Sequence, residues 1–600
     1  MARRPAYSLG QNFWRYNLIR FQRRFTRPQL LYVFSIIVGL TAGIAAVILK
    51  TLVHSIRGIL VANNYSIASQ YQIYLNFPLI GILLTVLFIR IFLKGKFDRG
   101  VASVLKAISQ QSGRLEKHKT FTHIITSAIT VGFGGSAGLE SPIVVTGSAI
   151  GSNYGQLPFF PYKDRLVLLA CGAAAGIAAA FNAPIAGLLF ALEVLLTDVT
   201  ISAFIPLILA SVTGVLCSKI ILQEEILFRF RFLQPFDYHN LIFYLLLGLL
   251  SGVISLYYAF VTLKVESLFH RFGPQRQLVK VLTGGLLLGA LIFLFPPLFG
   301  EGYESIKDLS QGNMQALFQH TLYEQMHDQE LFILIFIGAI ALVKVIATSV
   351  TLASGGNGGN FAPALFVGAY IGFFLSRLVN LISPFRLPED NFTVVGMAGI
   401  LAGVMYAPLT AVFLIAEITQ GYDLIIPLMV VSATSYALVR RFELFPMDTR
   451  ELVRKGQIHT HNRDQNILQS LKLDQLLETD FQTISPEATL REIVTVIATS
   501  KRNLFPVVQP ENGTLAGILV TDDLKEVMFQ PELYDKLIAR NLLKAPPALV
   551  ESNEEMPAIM RKFDQTKAWN LPVVEKGIYL GFISKSNIFT AYRSFLLMLS

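Results

Sequence analysis

The stretch Gly132–Gly151, GFGGSAGLESPIVVTGSAIG, lies between long apolar runs, which puts it at membrane depth, yet it is rich in glycine and carries one carboxylate, Glu140. Glycine lets backbone amides approach a ligand closely. A helix that begins after such a loop presents free N–H groups and the positive end of its dipole. Pro142 suits a first helical turn, where no donor is lost. A carboxylate at the bilayer centre costs about 2.5–3.5 kcal/mol or more, so Glu140 needs a reason to be there. An ordinary glutamate in a short extramembrane loop, or a cap on the following helix, is the plain alternative.

A second copy argues against that alternative. In Gly359–Gly372, GNFAPALFVGAYIG, the residues Pro363, Gly368, Ile371 and Gly372 repeat the spacing of Pro142, Gly147, Ile150 and Gly151. Further on, Gly176-Ile177, Ala183-Pro184 and Glu193 are answered by Gly399-Ile400, Ala407-Pro408 and Glu417, with the same Pro-to-Glu spacing. Interrupted Gly- and Pro-bearing hydrophobic segments at matching places in two halves point to a midplane site made by broken helices. Helix N-termini converging from both halves would bind an anion.

Gly138-Leu139-Glu140-Ser141-Pro142 resembles the GxExP motif of the CLC family of chloride channels and chloride/proton antiporters, and Gly359-Asn360-Phe361-Ala362-Pro363 resembles its GxFxP motif. The stretch Gly172–Glu193 is also similar to the family, and the likeness covers roughly Arg27–Gly456. The resemblance implies an all-α polytopic membrane domain with an inverted internal repeat and broken helices, working as a homodimer with one pathway per subunit. It makes Glu140 the gating glutamate, and Gly138, Leu139, Ser141, Gly359, Asn360, Phe361 and Ala362 the anion-binding residues. Asn360 is also expected to cap its helix. Three positions depart from the family pattern. Its central serine falls on Arg99, its central tyrosine on Asp448, and the inner proton glutamate of the antiporters on Val194. If Arg99 and Asp448 replace the central pair, they are expected to face each other and to form an ion pair, since a lone buried charge is costly.

Composition agrees with a membrane protein. Of 600 residues, 53% are hydrophobic, and the mean hydropathy is +0.53; soluble domains run at ~45–50% apolar even counting Gly. A net charge of +10 is modest for this length and does not suggest nucleic acid. The two cysteines, Cys171 and Cys217, lie in apolar segments and form no disulfide framework. Residues 1–28 carry seven arginines and no acid, and with the spanning segment Leu30–Lys50 directly behind them they read as a retained cytoplasmic N-terminus. An organelle transit peptide is the alternative. The membrane domain is expected over 29–456, in two repeats of about 29–225 and 240–456. Apolar segments are expected near Leu75–Leu93, Phe121–Gly151, Arg165–Leu196, Ile201–Leu222, Leu241–Leu263 and Val279–Phe299. The second half adds Leu331–Leu352, Phe361–Leu381, Phe392–Ile418 and Leu424–Val439. Arg440, Arg441, Arg450, Arg454 and Lys455 put the end of the domain on the cytoplasmic side, in the plasma (inner) membrane.

Residues 457–600 read as a soluble α/β unit of two similar parts, about 471–530 and 540–598. Leu504–Val508 with Leu515–Leu519, and Asn570–Val574 with Tyr579–Ile583, are strand pairs, each followed by an amphipathic helix near Asp522 or Ser586. The unit resembles tandem CBS domains. Such repeats, where they bind nucleotide, pair a Ser or Thr with an Asp; here the first keeps Asp523 beside Val520 and the second Ser584 beside Asn587. With half of each site missing, adenine-nucleotide binding is expected to be weak, and no cofactor is required.

The resulting expectation is transport of chloride or a similar small anion, gated by Glu140, and passive or weakly proton-coupled because Val194 cannot pass a proton. Neighbouring Glu193 points about 100° away on a helix. A chloride/proton antiporter is the alternative. A CBS-regulated cation channel is more distant, because helix N-termini repel cations and membrane carboxylates are few. An enzyme is not expected: the nine histidines include no HExxH pattern and no metal ligand set.

Overall fold

A computed structural model describes residues 25–61, 67–158, 160–196, 201–222, 234–310 and 329–454, positions 317, 318, 323, 468 and 471, and 473–599. The basic start before Phe25 and the expected junction at 456/457 lie outside the described residues. The chain divides into two compact units, Met1–Ile458 and His459–Ser600.

The first unit is helical. Its first half holds α1 (Arg27–Val61), α2 (Ile67–Phe92), α3 (Gly100–Gln110), α4 (Lys119–Gly132), α5 (Glu140–Gly155), α6 (Tyr162–Phe181), α7 (Pro184–Phe190) and α8 (Ile201–Leu222). Its second half holds α9 (Leu241–His270), α10 (Gln277–Leu294), α11 (Tyr303–Ser310), α12 (Glu330–Ser354), α13 (Phe361–Ile382), α14 (Glu389–Met405), α15 (Pro408–Ile418), α16 (Ile425–Phe442) and α17 (Met447–Arg454). Among the described residues, nine helices are long and apolar enough to cross a membrane. Exposed side chains such as Ile36, Leu40, Leu216, Ile220 and Leu286 are apolar, as lipid-facing helices require.

Three expected segments are broken in two. The run over Phe121–Gly151 splits into α4 and α5 around the glycine loop, Arg165–Leu196 into α6 and α7, and Phe392–Ile418 into α14 and α15. The last two breaks match. Asn182 (φ 56, ψ 32) ends α6 and Tyr406 (φ 58, ψ 32) ends α14, both in the left-handed region, and each stands before an Ala-Pro pair that starts the next helix. Proline cannot continue a helix from the residue before it. The left-handed residue turns the chain, at about 1–2 kcal/mol for a non-glycine.

The duplicated glycines set how closely helices cross. A Cβ on Gly147 would lie 2.1 Å from the carbonyl oxygen of Gly172, and one on Gly368 would lie 2.4 Å from that of Gly396. Thus α5 packs on α6, and α13 on α14, backbone to backbone. Close contact through small residues is how helices associate without a hydrophobic force between them.

In the second unit, β1 (Leu504–Val508) pairs antiparallel with β2 (Leu515–Val520). A separate sheet runs β3 (Val550–Glu551), β4 (Asn570–Glu575), β5 (Ile578–Ser584), parallel then antiparallel. The turns of the two parts meet through Leu515 N–H to Gly577 O and Tyr579 N–H to Gly513 O, at 3.1 and 2.9 Å. The second expected helix is found at Lys585–Leu599; the first is only Thr521–Leu524. Turns follow it over residues 525–529.

Candidate functional site

The two motif loops are tied to each other. Gly138 N–H donates to Gly359 O at 2.9 Å and Gly359 N–H to Gly138 O at 2.8 Å, a two-bond bridge between the halves. Gly359 leaves no room for a side chain, since a Cβ there would meet Ser141 Oγ at 2.3 Å and Cβ at 2.6 Å, while a Cβ on Gly138 would push the Glu140 carboxylate, 2.2 Å away, and crowd the Ala362 N–H at 3.0 Å. The bridge brings the start of α5 against the start of α13, so the free N–H groups of one repeat face the acid of the other.

Glu140 is buried, with 3% of its surface exposed. Its Oε2 accepts from the Ala362 N–H at 3.3 Å, and its Oε1 accepts from the Tyr303 hydroxyl at 2.6 Å. The carboxylate therefore spans to the opposite repeat and does more than cap its own helix. Tyr303 is a residue that sequence reasoning missed. It opens α11, and the loop that delivers it is fastened by Lys344 on α12. The buried Lys344 ammonium donates to Leu298 O at 3.3 Å and Gly300 O at 3.0 Å and lies 4.7 Å from the Phe366 ring centre. Gly300 N–H in turn donates to Gly134 O at 3.2 Å. A lysine within an apolar segment was the available signal, since such charges need a partner.

Around this point the wall is apolar. Phe361 is 2% exposed, and its ring lies 5.4 Å from that of Phe181 and 6.3 Å from that of Phe190. Leu139, Ser141 and Ala362 are buried beside it. Asn360 precedes α13 but its side chain does not cap the helix, contrary to expectation. Its Nδ2 donates to Asp448 Oδ1 at 3.2 Å and its Oδ1 accepts from the Tyr258 hydroxyl at 3.3 Å. The amide is engaged instead by partners on α17 and α9.

Asp448 is thus one hydrogen bond from the motif, whereas Arg99 is directed elsewhere. The Arg99 guanidinium donates to Leu352 O at 2.8 Å and Gly355 O at 3.0 Å. It satisfies carbonyls at the C-terminus of α12, where a cation is favoured by the helix dipole. The expected Arg99–Asp448 ion pair does not form among the described residues. Val194 is half-buried in a π-helical turn, Ala191–Leu195, packed against the core.

The duplicated glutamates have a role that their spacing alone did not reveal. Glu193 accepts from Leu409 N–H at 3.0 Å, Thr410 N–H at 2.7 Å and the Thr410 hydroxyl at 2.7 Å. Glu417 accepts from Ile185 N–H at 3.0 Å and Ala186 N–H at 2.8 Å. Each acid caps the first turn of the other repeat's proline-started helix, where the N–H groups have no partner of their own.

These features agree with what known proteins look like. The family model described as voltage gated chloride channel matches residues 80–440, more than half of the chain. The chain belongs to this family. As a CLC protein it is an integral membrane protein of anion transport, and a CBS domain matches residues 473–530 of its tail. The H(+)/Cl(-) exchange transporter ClcA of Klebsiella pneumoniae is 29% identical over 444 residues, 70% of this chain and 88% of that one. Chloride channel protein CLC-e of Arabidopsis thaliana is 26% identical over 560 residues, 82% of this chain and 75% of that one. The solved structure of a eukaryotic CLC transporter covers 94% of this CLC chain and 99% of its own, with a TM-score of 0.60 at 19% identity. That of a slow cyanobacterial Cl-/H+ antiporter covers 71% and 97%, with a TM-score of 0.58 at 22% identity. At those identities the structural likeness speaks for the fold alone.

In the tail, Asp523 is paired with Lys544 at 2.7 Å. Ser584 donates to Glu478 and accepts from Asn587 N–H. Both expected nucleotide contacts are engaged within the protein.

Proposed function

We propose that the chain exchanges chloride for protons through a pathway gated by Glu140. The observation that carries this reading is the Glu140 carboxylate resting on the Ala362 N–H, in the place an anion would take at the start of α13. A carboxylate there competes with chloride for the same amides. When it takes a proton it loses its claim on that N–H, chloride can occupy the helix start, and the proton travels with the glutamate. Gly138, Leu139, Ser141, Gly359, Asn360, Phe361 and Ala362 would line the anion's place, with backbone amides facing it and the Phe361 ring excluding water. The exchange named for the Klebsiella relative favours this over the passive conduction expected from Val194. Passive conduction stays as the second reading because Val194 offers no proton-carrying group.

We further propose a homodimer in the plasma membrane with both termini cytoplasmic, and a tail that binds adenine nucleotide weakly, since Asp523 and Ser584 are already bonded. The deciding experiment uses purified protein in vesicles with an outward chloride gradient and a lightly buffered interior. Exchange moves protons against their gradient at a fixed ratio to chloride; chloride flux with no proton movement would leave passive conduction.

A further inference from the structure

Exchange needs a group that takes protons on the face opposite the outer gate, and the acids available there differ in how they are used. Glu193 and Glu417 are each held by two backbone N–H groups of a neighbouring helix, so both are committed to the scaffold. Val194 has nothing to protonate. Asp448, near the start of α17, the last helix of the first unit, is different. Its carboxylate accepts one hydrogen bond from Asn360, and among the described residues no ion pair reaches it. Arg99, the nearest expected cation, is held by the carbonyls of Leu352 and Gly355, and Arg450 on its own helix is paired with Glu443 at 2.9 Å.

The placement relative to Glu140 is what gives Asp448 a role. Asn360 and Ala362 are two residues apart at the start of α13; the side chain of the first holds Asp448 and the backbone N–H of the second holds Glu140. The two acids are thus tied to the same helix start, Asp448 through a side-chain amide and Glu140 through a backbone N–H. We propose that Asp448 passes protons between the solution on the tail side and Glu140. This rests on the exchange reading above. A proton from solution adds to the Asp448 carboxylate. The resulting acid gives that proton through water to the Glu140 carboxylate and returns to its charged form. Protonated Glu140 then releases the Ala362 N–H and gives up the proton on its own side. From α9, the Tyr258 hydroxyl shares Asn360 with Asp448 and feels its charge; α3, which packs against α17, carries Lys106.

The test is the number of protons moved per chloride by the full chain in vesicles. Asp448→Asn keeps shape and the Asn360 contact, and is expected to lower that number at least about tenfold while chloride still flows; Asp448→Glu is expected to retain it. A purely structural aspartate would lower both fluxes together and leave their ratio unchanged, which overturns the proposal, as does a normal ratio in Asp448→Asn. Should Asp448→Asn not fold, Asp448→Glu decides: a moved tail-side pH for half-maximal proton flux supports the proposal, and an unmoved one overturns it. A wild-type protein that moves no protons at all overturns the exchange reading itself, and this inference with it.

Discussion

In the first repeat the loop Gly138–Pro142 reads GLESP; at the matching place in the second, Gly359–Pro363 reads GNFAP. The outer positions agree and the inner three do not. Gly138 and Gly359 exchange two backbone hydrogen bonds, and the close crossings at Gly147 and Gly368 are alike. The turns at Asn182 and Tyr406 have the same angles, and Glu193 and Glu417 cap each other's repeat. Where one repeat has Glu140, however, the other has Phe361; where one has Leu139, the other has Asn360. Positions that hold backbones together must satisfy the same geometry in both copies, so they stay equal. Positions facing the shared space meet each other, so there one acid and one apolar wall do more than two acids could. Two carboxylates at one small site could not both be charged.

The largest effect should come from breaking that asymmetry. Glu140→Ala is expected to abolish proton movement and the acid dependence of chloride flux, by about a hundredfold or more in proton rate, with folding retained. Phe361→Ala, its counterpart, should change chloride flux and leave protons per chloride as they were. A Glu140→Ala protein whose flux still followed pH would end the assignment.

The equal part of the comparison predicts equal losses. Glu193→Ala and Glu417→Ala each orphan two N–H groups at a helix start and should each lower stability by about 2 kcal/mol, seen as similar drops in melting temperature in detergent. Glu193→Gln should leave protons per chloride unchanged. A selective loss of coupling there would return Glu193 to the proton path.

A smaller effect is expected at Tyr303, whose hydroxyl only one repeat receives. Tyr303→Phe removes the donor from Glu140 Oε1 and should raise chloride flux at neutral pH by about tenfold, the worth of a hydrogen bond to a charged group. Unchanged flux would mean that the phenol is packing alone. The smallest is the coupling of Arg99 with Asp448. Because they bond to different partners, the effects of Arg99→Ser and Asp448→Tyr should add within about 0.5 kcal/mol. A larger coupling energy would mean that the two charges meet during transport.

Much of this was legible beforehand. Glycine, proline and acid spacing in Gly132–Gly151 and its copy marked the broken helices, because each residue type acts within a turn or two of where it stands. The same holds for the alternating strands of the tail. Less was legible wherever a partner came from far along the chain. Asn360 looked like a cap because caps are local, yet its amide is claimed by Tyr258 and Asp448. Arg99 looked like half of a pair because charge invites one, yet helix carbonyls serve it as well.

By itself, the sequence determined the membrane class, the duplication, the tail and the place of the acid-bearing glycine loop. These follow from hydropathy and from backbone preferences that a residue carries in any context. Only the tertiary structure decided what each charged group is for. It gave Tyr303 to Glu140, Lys344 to the loop at Leu298 and Gly300, and Glu193 and Glu417 to each other's helices. A buried charge accepts whichever partner packing brings within about 3 Å, and packing joins residues that can be hundreds of positions apart.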